Sequence, residues 1–123
     1  MGNAWWPDPR SVAPDGGDEG FAALFESLHR AGPRTVPSRR DAARISRRSV
    51  GTFRRHFPRL AGMDWRAFLT VWRLECGRER LKNAFLLTKE VARDCGFLSE
   101  QGFSRAYRAR FGEFPRRRSP GSE

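Results

Sequence analysis

Arginine is the reagent this chain carries in quantity. Of its 24 basic residues only Lys82 and Lys89 are lysine. A guanidinium offers a planar fork of N–H donors that fits a phosphate or the N7 and O6 edge of guanine. A glutamine amide makes the analogous pair with adenine, and a carboxylate can accept from cytosine N4. Residues of these types gather in two short stretches, Gly51-Thr52-Phe53-Arg54-Arg55 and Glu100-Gln101-Gly102-Phe103-Ser104-Arg105. Bond-breaking chemistry finds no comparable set. The chain shows no Ser/His/Asp or Cys/His grouping, no paired acids and no phosphate-cradling loop, and arginines do no catalysis alone. His29 and His56 lack a Cys or acid partner at ligand spacing, so core or surface roles are expected of both. No enzyme activity, cofactor or metal is expected.

The charge points the same way. Formal net charge is +10 over 123 residues. Residues 1–20 hold Asp8, Asp15, Asp18 and Glu19 against Arg10, which leaves 23 basic against 10 acidic groups elsewhere, a net of +13. A region so basic attracts polyanions, either nucleic acid or an anionic membrane. The near-exclusive use of Arg tilts the choice towards nucleic acid, although a GC-rich genome would produce the same bias through its codons. No apolar run approaches the roughly 20 residues that cross a bilayer, and no secretory signal opens the chain. Cys76 and Cys95 are not in metal-type spacing; reduced structural thiols in a cytoplasmic protein are the default expectation.

The elements that must position these donors all read as helices. Phe21, Leu24, Phe25 and Leu28 recur at helical spacing until Gly32-Pro33 stops them. Arg39 to Ile45 predicts a short helix with Ala42, Ala43 and Ile45 inward. Ser49 caps a helix carrying Val50, Phe53, Phe57 and Leu60, which Pro58 should end or kink. Asp64 caps the longest segment, striped with Trp65, Phe68, Leu69, Trp72 and Cys76 and closed by Leu81. That aromatic stripe reads as core, not as a base-stacking platform, because it is one-sided. Lys89 to Cys95 predicts a short helix ended by Gly96, and Ser99 caps the last one, with Phe103, Tyr107 and Phe111 inward. No alternating segment makes a convincing strand. The expected fold class is all-α.

A short helix, a tight turn, a serine cap and a second helix thus occur twice, at 39–57 and 89–111, joined by the long helix from Trp65. This is the helix-turn-helix pattern, in which the second helix enters the major groove. With Phe103, Tyr107 and Phe111 inward, Glu100, Gln101, Ser104, Arg105 and Arg108 point outward. In the first copy Gly51, Thr52, Arg54 and Arg55 remain available to the groove. Gln101 suits adenine and Arg105 guanine; Thr52 and Ser104 suit backbone oxygens; Arg47, Arg48 and Arg108 are candidate phosphate contacts.

Here the chain resembles the C-terminal DNA-binding domain of the AraC/XylS family of bacterial transcription regulators. The resemblance covers about Phe21 to Arg118. Its strongest part is Glu90-Val91-Ala92…Gly96-Phe97…Phe103-Ser104-Arg105…Phe111-Gly112…Pro115, supported by Gly62-Met63-Asp64-Trp65 and Arg73-Leu74. It implies about seven helices in two helix-turn-helix subdomains bridged by a central helix. It also implies base-reading positions at Gly51, Arg54 and Arg55 and at Glu100, Gln101, Gly102 and Arg105. The chain departs from the family's pattern at Arg47-Arg48, where a Gly and an apolar residue are usual, which predicts a looser first turn. It departs again at Gly77, where a small apolar residue is expected, which predicts less core.

The expected organisation is a flexible tail over 1–20, a double helix-turn-helix domain over 21–118 and a frayed end over 119–123. The expected function is sequence-specific binding of double-stranded DNA by a monomer in the bacterial cytoplasm, regulating transcription, with RNA polymerase as a further candidate partner. The alternative is a degenerate helix-turn-helix domain that serves as a protein-interaction module with only non-specific DNA affinity.

Overall fold

The computed structural model describes residues 19–83 and 85–116. Six α-helices follow one another among them: α1 (Glu19–Ala31), α2 (Arg39–Ile45), α3 (Val50–Ala61), α4 (Trp65–Arg80), α5 (Thr88–Asp94) and α6 (Glu100–Phe111). The fold is all-α, as expected, with six described helices where about seven were anticipated. Gly112, at φ 81°, closes α6, and residues 113–116 run on without a helix. The first helix starts at Glu19, two residues inside the predicted tail. The rest of that tail, with Trp5 and Trp6, lies outside the described residues, as does the predicted frayed end.

The chain forms two units. In the first, α1 contributes Phe21, Leu24, Phe25 and Leu28, α3 contributes Phe53 and Phe57, and the start of α4 contributes Trp65 and Phe68, all buried. Phe57 stands at the centre of this aromatic cluster. Its ring centroid lies 5.2 Å from Phe53, 5.3 Å from Trp65 and 5.4 Å from Phe68, the last two edge-on. Edge-on pairs let the positive rim of one ring meet the negative face of another. Ala42 and Ala43 are buried on α2, where small side chains let the helix press close. Ile45, Val50 and Leu60, predicted inward, are only half-buried.

The second unit has its own core: Leu74, Leu81, Val91, Ala92, Cys95, Phe103 and Tyr107, flanked by Cys76, Leu86, Phe97, Ala106 and Phe111. Gly77 explains how α6 reaches α4. A Cβ on Gly77 would stand 2.7 Å from Phe103 Cε1 and 2.9 Å from Cζ, closer than carbon atoms can approach. The glycine therefore does not thin the core, as the sequence suggested; it makes room for the Phe103 ring. Arg110 donates to Glu75 Oε2 at 2.7 Å and ties α6 to α4 at the rim of the same unit.

Both helix-turn-helix turns close with one hydrogen-bond pattern. In the first, the amides of Ser46, Arg47 and Arg48 donate to the carbonyls of Ala42, Arg44 and Ala43 at 3.0, 3.0 and 2.8 Å. In the second, the amides of Cys95, Gly96 and Phe97 donate to Val91, Arg93 and Ala92 at 3.0, 3.1 and 2.9 Å. The looser first turn predicted from Arg47-Arg48 is not observed. Arg47 instead takes up the left-handed conformation (φ 61°) that Gly96 occupies in the second copy (φ 92°), at a cost of about 1 kcal/mol for a residue with a Cβ.

Candidate nucleic-acid interface

The second helix of each helix-turn-helix, α3 and α6, begins on a serine cap. Ser49 Oγ accepts the Thr52 amide at 3.1 Å and Ser99 Oγ accepts the Gly102 amide at 3.0 Å, satisfying a donor that an uncapped helix leaves orphaned. Each ends on a left-handed glycine: Gly62 donates to Pro58 O and Gly112 to Arg108 O, both at 2.8 Å. Pro58 does not end α3. The helix continues through it to Ala61, because that terminal glycine bond secures the last turn. From cap to cap the two helices share one register, with Arg55 and Arg105 both in sixth position.

On α3 the buried face is Phe53 and Phe57, which leaves Gly51, Arg54 and Arg55 exposed and Thr52 half-buried. Arg55 Nη2 donates to Thr52 Oγ1 at 3.2 Å, and Ser49 Oγ donates to the same oxygen at 3.0 Å. The N-cap, Thr52 and Arg55 thus form one short chain of hydrogen bonds that holds the guanidinium over the first turn. No acidic residue lies on α3, so its exposed face is purely cationic. On α6 the buried face is Phe103 and Tyr107. Glu100, Gln101, Gly102, Arg105 and Arg108 are exposed and Ser104 half-buried, and the Arg108 guanidinium lies 4.7 Å over the Phe114 ring. The structure therefore brings together Gly51, Thr52, Arg54 and Arg55 on one helix face, and Glu100, Gln101, Ser104 and Arg105 on another.

The predicted phosphate contacts divide. Arg47 stands exposed in the first turn. Arg48 turns inward: its guanidinium carbon sits 3.9 Å over the Phe21 ring, Nη1 donates to Ser46 O at 3.0 Å and Nε to His56 Nδ1 at 3.3 Å. It occupies the place where Phe97 packs on Phe103 in the second copy, their centroids 5.2 Å apart. The sequence could not show this, because an arginine is read as a surface residue until a ring is known to lie beneath it. His56 is thereby a partner of Arg48, half-buried within the first unit.

A second feature was legible but missed. The two copies run in step up to Arg48 and Phe97, and again from Ser49 and Ser99 onward. Leu98 has no counterpart. Away from the helix faces, burial pushes the Cys95 thiol up to about 12, and burial also raises that of Cys76. Among the described residues no group of His, Cys, Asp and Glu is placed to hold a metal. No helix there is long and apolar enough to cross a membrane.

Residues 42–118 match the family model described as a helix-turn-helix domain. Solved structures align over most of the chain, among them a Chromobacterium violaceum transcriptional regulator described as having an AraC-type DNA-binding domain. It is 25% identical with a TM-score of 0.71, over 79% of this chain and 86% of that one. The chain belongs to the AraC-type helix-turn-helix family. The same fold is seen in the DNA-binding domain of the global transcriptional factor AdpA, solved in complex with a target DNA. It is 23% identical with a TM-score of 0.71, over 78% of this chain and 86% of that one. CdpR from Pseudomonas aeruginosa is 27% identical with a TM-score of 0.63, over 77% of this chain but only 29% of its own length. The aligned part is therefore a small share of that longer regulator. No curated protein matches this chain in sequence.

Proposed function

We propose that this chain is a transcription regulator that binds double-stranded DNA sequence-specifically, presenting α3 and α6 to two successive major-groove segments. One observation carries the reading. Two serine-capped helices, each following the same hydrogen-bonded turn, expose an arginine at the same register, Arg55 and Arg105. Membership of the AraC-type family and the DNA-bound state of AdpA in its own structure support it. Arg55 and Arg105 read guanine, Gln101 reads adenine and Glu100 accepts from cytosine, each good bidentate pair worth about 1–3 kcal/mol of discrimination. Thr52 and Ser104 contact backbone oxygens, and Arg47 and Arg108 contact phosphates. Arg54 faces the groove as a further reader. Gly51 and Gly102, without side chains, allow the DNA edge to approach the helix instead of reading it. Segments one turn apart, ~34 Å on the duplex, let one chain occupy both as a monomer. A transcription regulator on this plan needs neither cofactor nor catalytic group.

Titration of a duplex pool with salt tests the electrostatic half of the reading. The two phosphate-contacting arginines alone, Arg47 and Arg108, predict a fall in affinity of at least about tenfold between 50 and 200 mM salt. Competition between unrelated duplexes tests the specific half, with selected sequence displaced at least about a thousandfold less readily than random sequence. A flat salt response would contradict DNA binding; a steep response without sequence preference would favour a protein-interaction module that merely tolerates DNA.

A further inference from the structure

We propose that Leu98 is a specificity residue that recognises the 5-methyl group of thymine beside the start of α6. The proposal rests on the DNA-reading function above. Leu98 is the one residue by which the two helix-turn-helix copies differ in length between turn and cap. The first copy steps from Arg48 directly to Ser49 and still closes the same three turn hydrogen bonds, so the turn has no need of a residue here. Nor does the core: Leu98 is 105% exposed. A leucine held wholly in water gains free energy only when a partner covers it.

Its position says what the partner is. Leu98 immediately precedes the N-cap of α6, and the N-terminal end of a recognition helix is the end that meets base edges. Glu100 and Gln101, exposed on the following turn, offer a carboxylate and an amide to that edge. Donors and acceptors make up the major-groove code except for one apolar feature, the methyl of thymine. A polar side chain reads that methyl poorly; a leucine covers it.

Deoxyuridine lacks only that methyl. Duplexes that the full chain recovers from a random pool are resynthesised with deoxyuridine at each thymine in turn, and their affinities are compared. Covering one methyl group predicts about a fourfold loss at a thymine within the half-site whose preference Arg105→Ala abolishes. Leu98→Ala should bind the thymine and deoxyuridine duplexes equally, and Leu98→Met, which keeps an apolar contact, should retain the difference. Both variants should melt at the wild-type temperature, because an exposed side chain holds nothing in place. Wild-type indifference to deoxyuridine at every position would overturn the proposal. So would a thymine preference that survives in Leu98→Ala, which would leave a protein partner as the cover for this leucine. Selection of no sequence at all would overturn the DNA-reading function itself, a result distinct from sequence-selective binding that ignores the methyl.

Discussion

Two substitutions test residue-level statements that no sequence pattern contained. Arg47 holds φ 61° where Gly96 serves the second copy. Arg47→Gly is therefore expected to stabilise the chain by about 0.5–1 kcal/mol, read as a shift of the urea midpoint at unchanged slope. Its removal should also weaken all duplexes alike and lower the salt dependence by about one unit, the mark of a phosphate contact. A destabilised Arg47→Gly would mean that the turn does not strain its arginine. Cys95 makes the second test. Desolvation first, then the neighbouring Cys76, push its thiol from 9.0 up to about 12. An acid whose folded value is raised is ionised more readily in the unfolded chain, so stability is complete below about pH 9 and declines as pH climbs towards 12. The steepest contribution is about 1.4 kcal/mol per pH unit. Cys95→Ala should flatten the decline of stability over that window, measured by denaturation at a series of pH values; an identical pH profile would contradict the buried, protonated thiol.

Helix elements show where periodicity suffices as a guide and where it fails. The apolar stripes Phe21-Leu24-Phe25-Leu28 and Trp65-Phe68-Trp72 are buried as their spacing requires, and the serine caps at 49 and 99 stand where the sequence placed them. Periodicity says which face is inward but not how near the next backbone comes, and so Gly77 was misread as a gap. Gly77→Ala should cost about 1–3 kcal/mol by driving a methyl into Phe103, even though alanine is the better helix former. Gly51→Ala, where the nearest atom to a new Cβ is Arg55 Nη1 at 3.7 Å, should gain up to about 1 kcal/mol from helix propensity alone. Thermal denaturation of the pair checks this: equal effects would mean that Gly77 does not seat the ring. Pro58 failed as a helix stop for a related reason, since the bond that Gly62 makes to Pro58 O holds the final turn. The candidate face was legible because it is the remainder once the buried stripe is removed. Arg48 was not, because its inward turn depends on Phe21, distant in sequence.

For the molecule as a whole, the net charge of +10 draws the chain to nucleic acid but carries no sequence information. On the proposed function, reading comes from the two exposed helix faces, and two reading faces on one chain predict two half-sites. Selection of bound duplexes from a random pool should recover two clusters of preferred bases centred about 10 base pairs apart. Arg55→Ala should erase preference within one cluster and Arg105→Ala within the other, and five base pairs inserted between them, half a helical turn, should abolish the joint affinity. A single cluster erased by both substitutions, or affinity indifferent to the insertion, would contradict the account.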